Sequence, residues 1–373
     1  MIYLLLTWLA APLLWFRAAL RGRSAQRRIL VIQTAKIGDF VATTPVFRAL
    51  RQHRPDAEIV ALLHPVNLPL ARGLQSIDRI VALPEGGFRA WAGKRWLYSL
   101  LGGGFDAVIV LSPNLSTYLV PFWAGVPTRI SVLPDRRQGS TRLAWPFLSH
   151  GEPHLAGRLF RETALRSLGG LGLPVDDDLL ATASEVSVAD VPQSLDQILP
   201  QKTAGEPLVG LGLGAGNRMK ALAAEQWLVM ARDLLAIPGV RLILIGTSAD
   251  RETAQELLRQ LPLSRILDTT GLFTLSQLPA VLMRLECFVG VDSGATYLAD
   301  AVGVPVVDFM GPADADDQRP LGPDAFVIRS SEPCAPCSHA FDAPYQCRMG
   351  TRVCIVNAPV IALAEAVKAL VRR

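Results

Sequence analysis

Charge is sparse in this sequence and barely biased: acidic and basic side chains make up 19% of the residues, and the formal net charge is +4. Nowhere do aromatic residues and arginines interleave over a long stretch, which argues against a nucleic-acid groove. The arginines gather instead in two short clusters, Arg21, Arg23, Arg27 and Arg28, then Arg136, Arg137 and Arg142. Local patches of this kind suit an anionic surface or substrate. The first sixteen residues, "MIYLLLTWLAAPLLWF", contain no Lys or Arg, and no clear small-x-small site follows them. A secretory signal peptide would carry both.

Apolar residues are abundant. They make up half of the 373 residues, enough to give two α/β domains real cores and too many for a disordered chain. The apolar N-terminal run falls short of the roughly 20 residues that span a bilayer comfortably. With Trp8, Trp15 and the trailing arginines, residues 1–27 are expected to lie in, or dip into, an anionic leaflet, with the body of the protein on the cytoplasmic side. A helix packed on that body is the plainer alternative.

From Arg28 the pattern becomes strand, turn, helix, repeated. "RILVIQ" has the length and continuous apolarity of a buried parallel strand, and "VATTPVFRALRQHRP" follows it with apolar residues at helical spacing. Further strands are expected at "AEIVALLH", "RIVALP", "DAVIVLS" and "TRISVLP", which gives a doubly wound α/β domain over 28–180. Residues 181–206 lose the periodicity and read as a linker. The pattern restarts over 207–373 with "PLVGLGLG", "VRLILIGT", "CFVGVD" and "VPVVDFMGP", a second Rossmann-like domain. Two such domains facing each other would make a cleft, and sheets of this kind bind ligands at the carboxyl ends of their strands.

Three stretches carry candidate chemistry. "TAKIGDFVATTP" places Asp39 on the turn after the first strand, as a base facing the cleft or as the N-cap of a helix starting near Val41. "GLGLGAGNRMK" combines glycines that let a backbone approach a ligand with Lys220, a flexible charge suited to phosphate. It is a poor dinucleotide fingerprint, because the acidic residue at the right distance, Asp233, falls inside the following helix. "FVGVDSGATYLADAVGVP" ends a strand at Asp292 and opens a helix at Ser293 and Gly294, where an anion or a sugar hydroxyl is accommodated as readily as a plain helix cap.

Together with "DTTGLFTLSQL", "GPADADDQRPLGP" and "CAPC", these stretches resemble the ADP-heptose:lipopolysaccharide heptosyltransferases of glycosyltransferase family nine, in order from about residue 28 to the C-terminus. The resemblance implies a GT-B fold with the acceptor on the N-terminal domain and a nucleotide-sugar on the C-terminal one. It implies inversion at the anomeric carbon with no metal required. Matched residue by residue, Asp39 would be the general base, Lys220 would bind the donor diphosphate, and Asp292 would contact the donor sugar. Ser293 and Gly294 would contact the diphosphate, Gly216 would line the donor loop, and Leu272 would pack on the base. The chain departs from the family's D-S/T-G-x-x-H pattern at Tyr297, which bears on the identity of the sugar.

Cys334, Cys337, Cys347 and Cys354 open with a C-x-x-C and can hold a structural zinc, or can serve as reduced thiols packing a loop; Cys287 sits in an apolar strand and is expected in the core. Arg136, Arg137 and Arg142 would receive an acidic lipid head group or line a solvated loop. The expectation is therefore a membrane-associated inverting glycosyltransferase on the cytoplasmic face of the bacterial inner membrane. It would move heptose or a related sugar from a nucleotide diphosphate to a glycolipid acceptor, with no nucleic-acid partner. The alternative is a non-catalytic glycolipid- or partner-binding protein on the same fold.

Overall fold

The computed structural model describes residues 2–20, 26–136, 139–199 and 205–372. It divides into two units, Met1–Glu185 and Val186–Arg373, with the boundary inside the expected linker.

The first unit is built on a parallel sheet of β1 (Arg28–Gln33), β2 (Glu58–Leu63), β3 (Arg79–Ala82), β4 (Ala107–Val110), β5 (Thr128–Leu133) and β6 (His150–Pro153), in the order β3-β2-β1-β4-β5-β6. The second repeats that order with β7 (Leu208–Gly212), β8 (Arg241–Ile245), β9 (Ile266–Asp268), β10 (Cys287–Val291), β11 (Val306–Met310) and β12 (Ala325–Arg329), arranged β12-β11-β10-β7-β8-β9. The inner strands β1, β4, β7 and β10 are buried on both faces, which is why they read as continuous apolar runs. In each sheet the order reverses between the first and fourth strands, β1 with β4 and β7 with β10. Their carboxyl ends form the crevice where such sheets take ligands.

Seven helices matter here: α1 (Ile2–Leu20), α2 (Ile37–His53), α3 (Trp91–Leu101), α4 (Leu115–Trp123), α5 (Ala224–Leu235), α6 (Gly294–Ala301) and α7 (Val360–Val371). The plainer of the two expectations for the N-terminus is met on one side of α1, which is part of the first unit's core. Leu4, Ala11 and Leu14 are buried with Phe122 and Phe147, and the Thr7 hydroxyl accepts a 2.8 Å bond from Trp123 Nε1. Trp8 and Trp15 lean on Phe147 and Phe122. The opposite side of α1 is apolar and open: Leu5, Leu6, Leu9, Leu13 and Phe16 are all exposed, Leu9 and Leu13 at 72%. Among the described residues no helix is long and apolar enough to cross a membrane.

Glycines shape the second sheet. An added Cβ at Gly210, Gly212 or Gly290 would collide with the buried ring of Phe288, so these positions make a slot for that ring. The glycine run read as a ligand loop is thus partly a packing device.

Candidate functional site

Each crevice carries a polar cluster. In the first unit, α2 begins at Ile37, four residues before the expected start, and its N-cap is Lys36. Asp39 is therefore not the cap; it lies half-buried in the first turn, where the positive end of the helix favours a carboxylate. The turn leading into it is held by three residues that pattern reading passed over. The Ser112 hydroxyl, just past β4, donates to Gln33 Oε1 and accepts from the backbone N–H groups of Thr34 (2.9 Å) and Ala35 (3.2 Å). Gln33 Nε2 donates to Thr43 Oγ1 at 2.8 Å and to the Asp39 carbonyl at 3.3 Å. Buried Asn67 donates to the Ala35 carbonyl at 2.9 Å, and its own Oδ1 has no hydrogen-bond partner. The only sequence signal for Gln33 and Ser112 was a polar residue at the end of an apolar strand.

In the second unit, Lys220 ends a 3-10 turn (Arg218–Lys220) beyond β7, and Asp292 follows β10. The Lys220 ammonium donates to Asp292 Oδ2, and the Tyr297 hydroxyl donates to Asp292 Oδ1 at 2.9 Å. Both oxygens of Asp292 are thus engaged by side chains of the crevice, and the capping reading is excluded. Ser293 is the N-cap of α6 by position, but its hydroxyl lies 3.3 Å from Thr296 Oγ1 and makes no side-chain cap bond. Gly294 opens the helix. Burial, and next the charge of Asp292, push the Tyr297 phenol well above its ordinary range, so it is a neutral donor.

Three more residues frame this end of the sheet. A Cβ added at Gly216 would meet nothing within 4 Å, so packing does not require that glycine. Gly271, at φ +70°, turns the chain after β9 and leaves Leu272 52% exposed. Asp233 is tied to Lys368 of α7 at 2.7 Å, which removes the dinucleotide reading.

The cysteines bear on the structural-zinc expectation, which the structure does not support. All five are free thiols, and Cys287 is buried in β10 as expected. Cys334, Cys337, Cys347 and Cys354 lie near enough that, after burial, the other three thiols raise the Cys354 pKa, but they are not a converging ligand group: Cys354 is drawn into the apolar core, while the Cys347 sulfur accepts a 3.3 Å bond from the Arg352 N–H. Backbone N–H groups lower the Cys347 thiol's pKa, Arg352 first. Among the described residues the one converging group is Asp314, Asp317 and His339, with His339 Nδ1 3.1 Å and 3.3 Å from the two carboxylates.

The basic clusters separate too. Arg28 is structural, paired with Glu58 at 2.6 Å and lying over the Phe105 ring. Arg136 is exposed beside Asp135, Arg142 lies over Trp145, and Arg21, Arg23 and Arg137 fall outside the described residues.

Comparison with known proteins bears on the family and the fold. Residues 95–346 match the family model "Glycosyltransferase family 9 (heptosyltransferase)". Lipopolysaccharide heptosyltransferase 2 of Escherichia coli K12 is 25% identical over 315 residues, covering 81% of this chain and 88% of that one. Among solved structures, a family 9 glycosyltransferase from Veillonella parvula superposes with a TM-score of 0.68 at 22% identity, covering 81% of this chain and 86% of that one. The E. coli ADP-heptose lps heptosyltransferase II gives 0.68 at 21% identity, covering 92% and 98%. The structural likeness assigns the GT-B fold expected above.

Proposed function

The chain belongs to glycosyltransferase family 9 and is a glycosyltransferase, and from that premise we propose that it transfers heptose from ADP-heptose to a lipopolysaccharide-core acceptor with inversion. One observation carries the reading: the Lys220–Asp292–Tyr297 cluster at the reversal point of the second sheet pairs a phosphate-binding charge with a sugar-binding carboxylate. Lys220 meets the donor's diphosphate and offsets the charge that grows as the bond from the anomeric carbon to the phosphate oxygen breaks. Asp292 accepts hydrogen bonds from sugar hydroxyls, Ser293 and Gly294 offer the start of α6 to the diphosphate, and Leu272 presents an apolar surface to the base. Asp39 takes the proton of the acceptor hydroxyl, whose oxygen attacks the anomeric carbon from the face opposite the leaving ADP. A non-catalytic binding role is not favoured, because it leaves Asp39 and the Lys220–Asp292 pair without a use.

On this reading the enzyme works at the anionic cytoplasmic leaflet of the inner membrane. What supports it is the amphipathic placement of α1, one side in the core and the other a stripe of exposed Leu and Phe. Trp91 of α3, 64% exposed and 6.3 Å edge-on from Tyr3, extends that apolar face. Arg142 would then serve an acidic head group.

The test is transfer itself. Purified protein with ADP-heptose and a heptose-accepting core glycolipid should release ADP and form a product of inverted anomeric configuration by NMR. No transfer with this pair, but turnover with another nucleotide-sugar, would overturn the heptose assignment.

A further inference from the structure

Beside the donor cluster lies a carboxylic acid that no step above uses. Asp308, in the middle of β11, has no solvent exposure, and neither of its oxygens has a hydrogen-bond partner. Leaving a carboxylate in that state is among the most unfavourable arrangements a fold can hold. Its register partner on β10 is Gly290, which brings no side chain to cover it, and its partner on β12 is Val327. The ionisable groups acting on it are Asp292, Lys220, and Asp300 and Tyr297 of α6. Gln318, which lowers the Tyr297 pKa against these effects, has a buried Oε1 that is also unpartnered.

Resting on the donor-site reading above, we infer that Asp308 is a positioning residue for the nucleotide-sugar. It acts through Lys220, Asp292 and Tyr297 as the uncharged acid that keeps this cluster able to accept a diphosphate. The charge count gives the reason. With Asp308 protonated, the Lys220 ammonium and the Asp292 carboxylate it binds cancel, and Asp300, whose carboxylate accepts from the Leu321 and Gly322 N–H groups, is the one negative charge left over. With Asp308 ionised, the Lys220 ammonium faces three carboxylates and the site repels the anion it must bind. Burial, then the charge of Asp292, raises the Asp308 carboxyl well above its usual range against the opposing pull of Lys220, so the protonated form is the one this fold favours. A hydrophobic residue would also be neutral, so it is the charge at this position that matters, and either neutral replacement should behave the same.

The experiment compares the full-length protein with Asp308→Asn, Asp308→Val and Lys220→Ala, measuring ADP affinity by calorimetry from about pH 6 to pH 9. The titration of ADP itself is common to all four. The expected result is an alkaline loss of affinity in the wild type that is about tenfold steeper than in Asp308→Asn, which keeps the shape and can never ionise. Asp308→Val, which is also neutral, should share the shallow profile of Asp308→Asn.

Thermal unfolding without ligand supplies a readout independent of binding. An unfolded aspartate ionises near pH 4 and the native Asp308 only above that, so the native state holds the proton longer and loses stability as pH rises toward its native pKa. The melting temperature of Asp308→Asn should therefore gain on the wild type as pH increases. Parallel pH profiles for wild type and Asp308→Asn, in affinity or in melting, would overturn the inference. If Lys220→Ala binds ADP as tightly as the wild type, the donor-site reading fails and the inference falls with it; if only the Asp308 profiles are parallel, the donor site stands without it.

Discussion

Replacing Leu9 and Leu13 together with Asp should detach the protein from membranes while leaving it folded. Both side chains are 72% exposed on the outer side of α1, so in water they contribute little to the fold. Fully burying a leucine in an apolar phase is worth about 1.5–3 kcal/mol. Losing two therefore removes about 3–6 kcal/mol of membrane attachment, a fall in partitioning of about 10²- to 10⁴-fold, before the repulsion of two new carboxylates by anionic lipid is counted. One residue on, Leu14→Ala acts on the other solvent: Leu14 is 6% exposed and packs in the first unit's core, so its truncation should cost about 2–5 kcal/mol of stability. Co-sedimentation with vesicles of phosphatidylethanolamine and phosphatidylglycerol reads the first effect, and thermal unfolding the second. Undiminished vesicle binding by the double Asp variant would refute the placement of this face against lipid. Deleting residues 1–20 should not yield a soluble native enzyme, because it uncovers Phe122, Phe147 and Trp123; a truncated protein that melts like the parent would show that α1 contributes nothing to the core.

Asp39→Asn should reduce turnover by about 10²-fold or more with little change in donor affinity, as measured by initial rates alongside calorimetry. Near-normal transfer would leave Asp39 a helix-terminus charge only. Lys220→Ala should weaken both donor binding and turnover, since the diphosphate is anionic before the bond breaks and more so after; a loss confined to one of them would separate ground-state from transition-state roles. Gly212→Ala should destabilise by about 1–3 kcal/mol in denaturant titration, because the new methyl overlaps the Phe288 ring. An unchanged midpoint would show that the ring can move aside.

The inner strands were legible because parallel strands covered on both faces read as unbroken apolar runs, from "ILVI" in β1 to "CFVGV" in β10. Of the edge strands, β3 was legible as "RIVALP" but β6 and β12 were not. β6, "HGEP", carries no aliphatic or aromatic core side chain and exists by pairing with β5, while β12, "AFVIR", lies beyond the loop "GPADADDQRPLGP" and pairs only with β11. Asp39, Lys220 and Asp292 could be read as candidates because each sits at a strand or helix end, where a charged side chain stands out from the apolar runs. Asp308 could not: in the sequence it is one polar letter in a strand, and its burial depends on a glycine eighteen residues earlier, Gly290, standing beside it in the sheet. The placement of α1 was half legible, since hydrophobicity marks a helix for an apolar environment without saying that one side finds it in protein.

The slot that Gly210, Gly212 and Gly290 make for Phe288 governs more than packing. A fully buried ring there keeps water away from the sheet next to Asp308, and charges near a dry surface interact over longer range and more strongly than charges near a wet one. The same carboxyls and ammonium would be far less sensitive to one another if solvent reached them from below. Phe288→Ala is therefore expected to act as a change of solvent rather than of ligand: it admits water, lets Asp308 ionise at lower pH, and erodes donor affinity in the neutral range while every group that touches the donor stays in place.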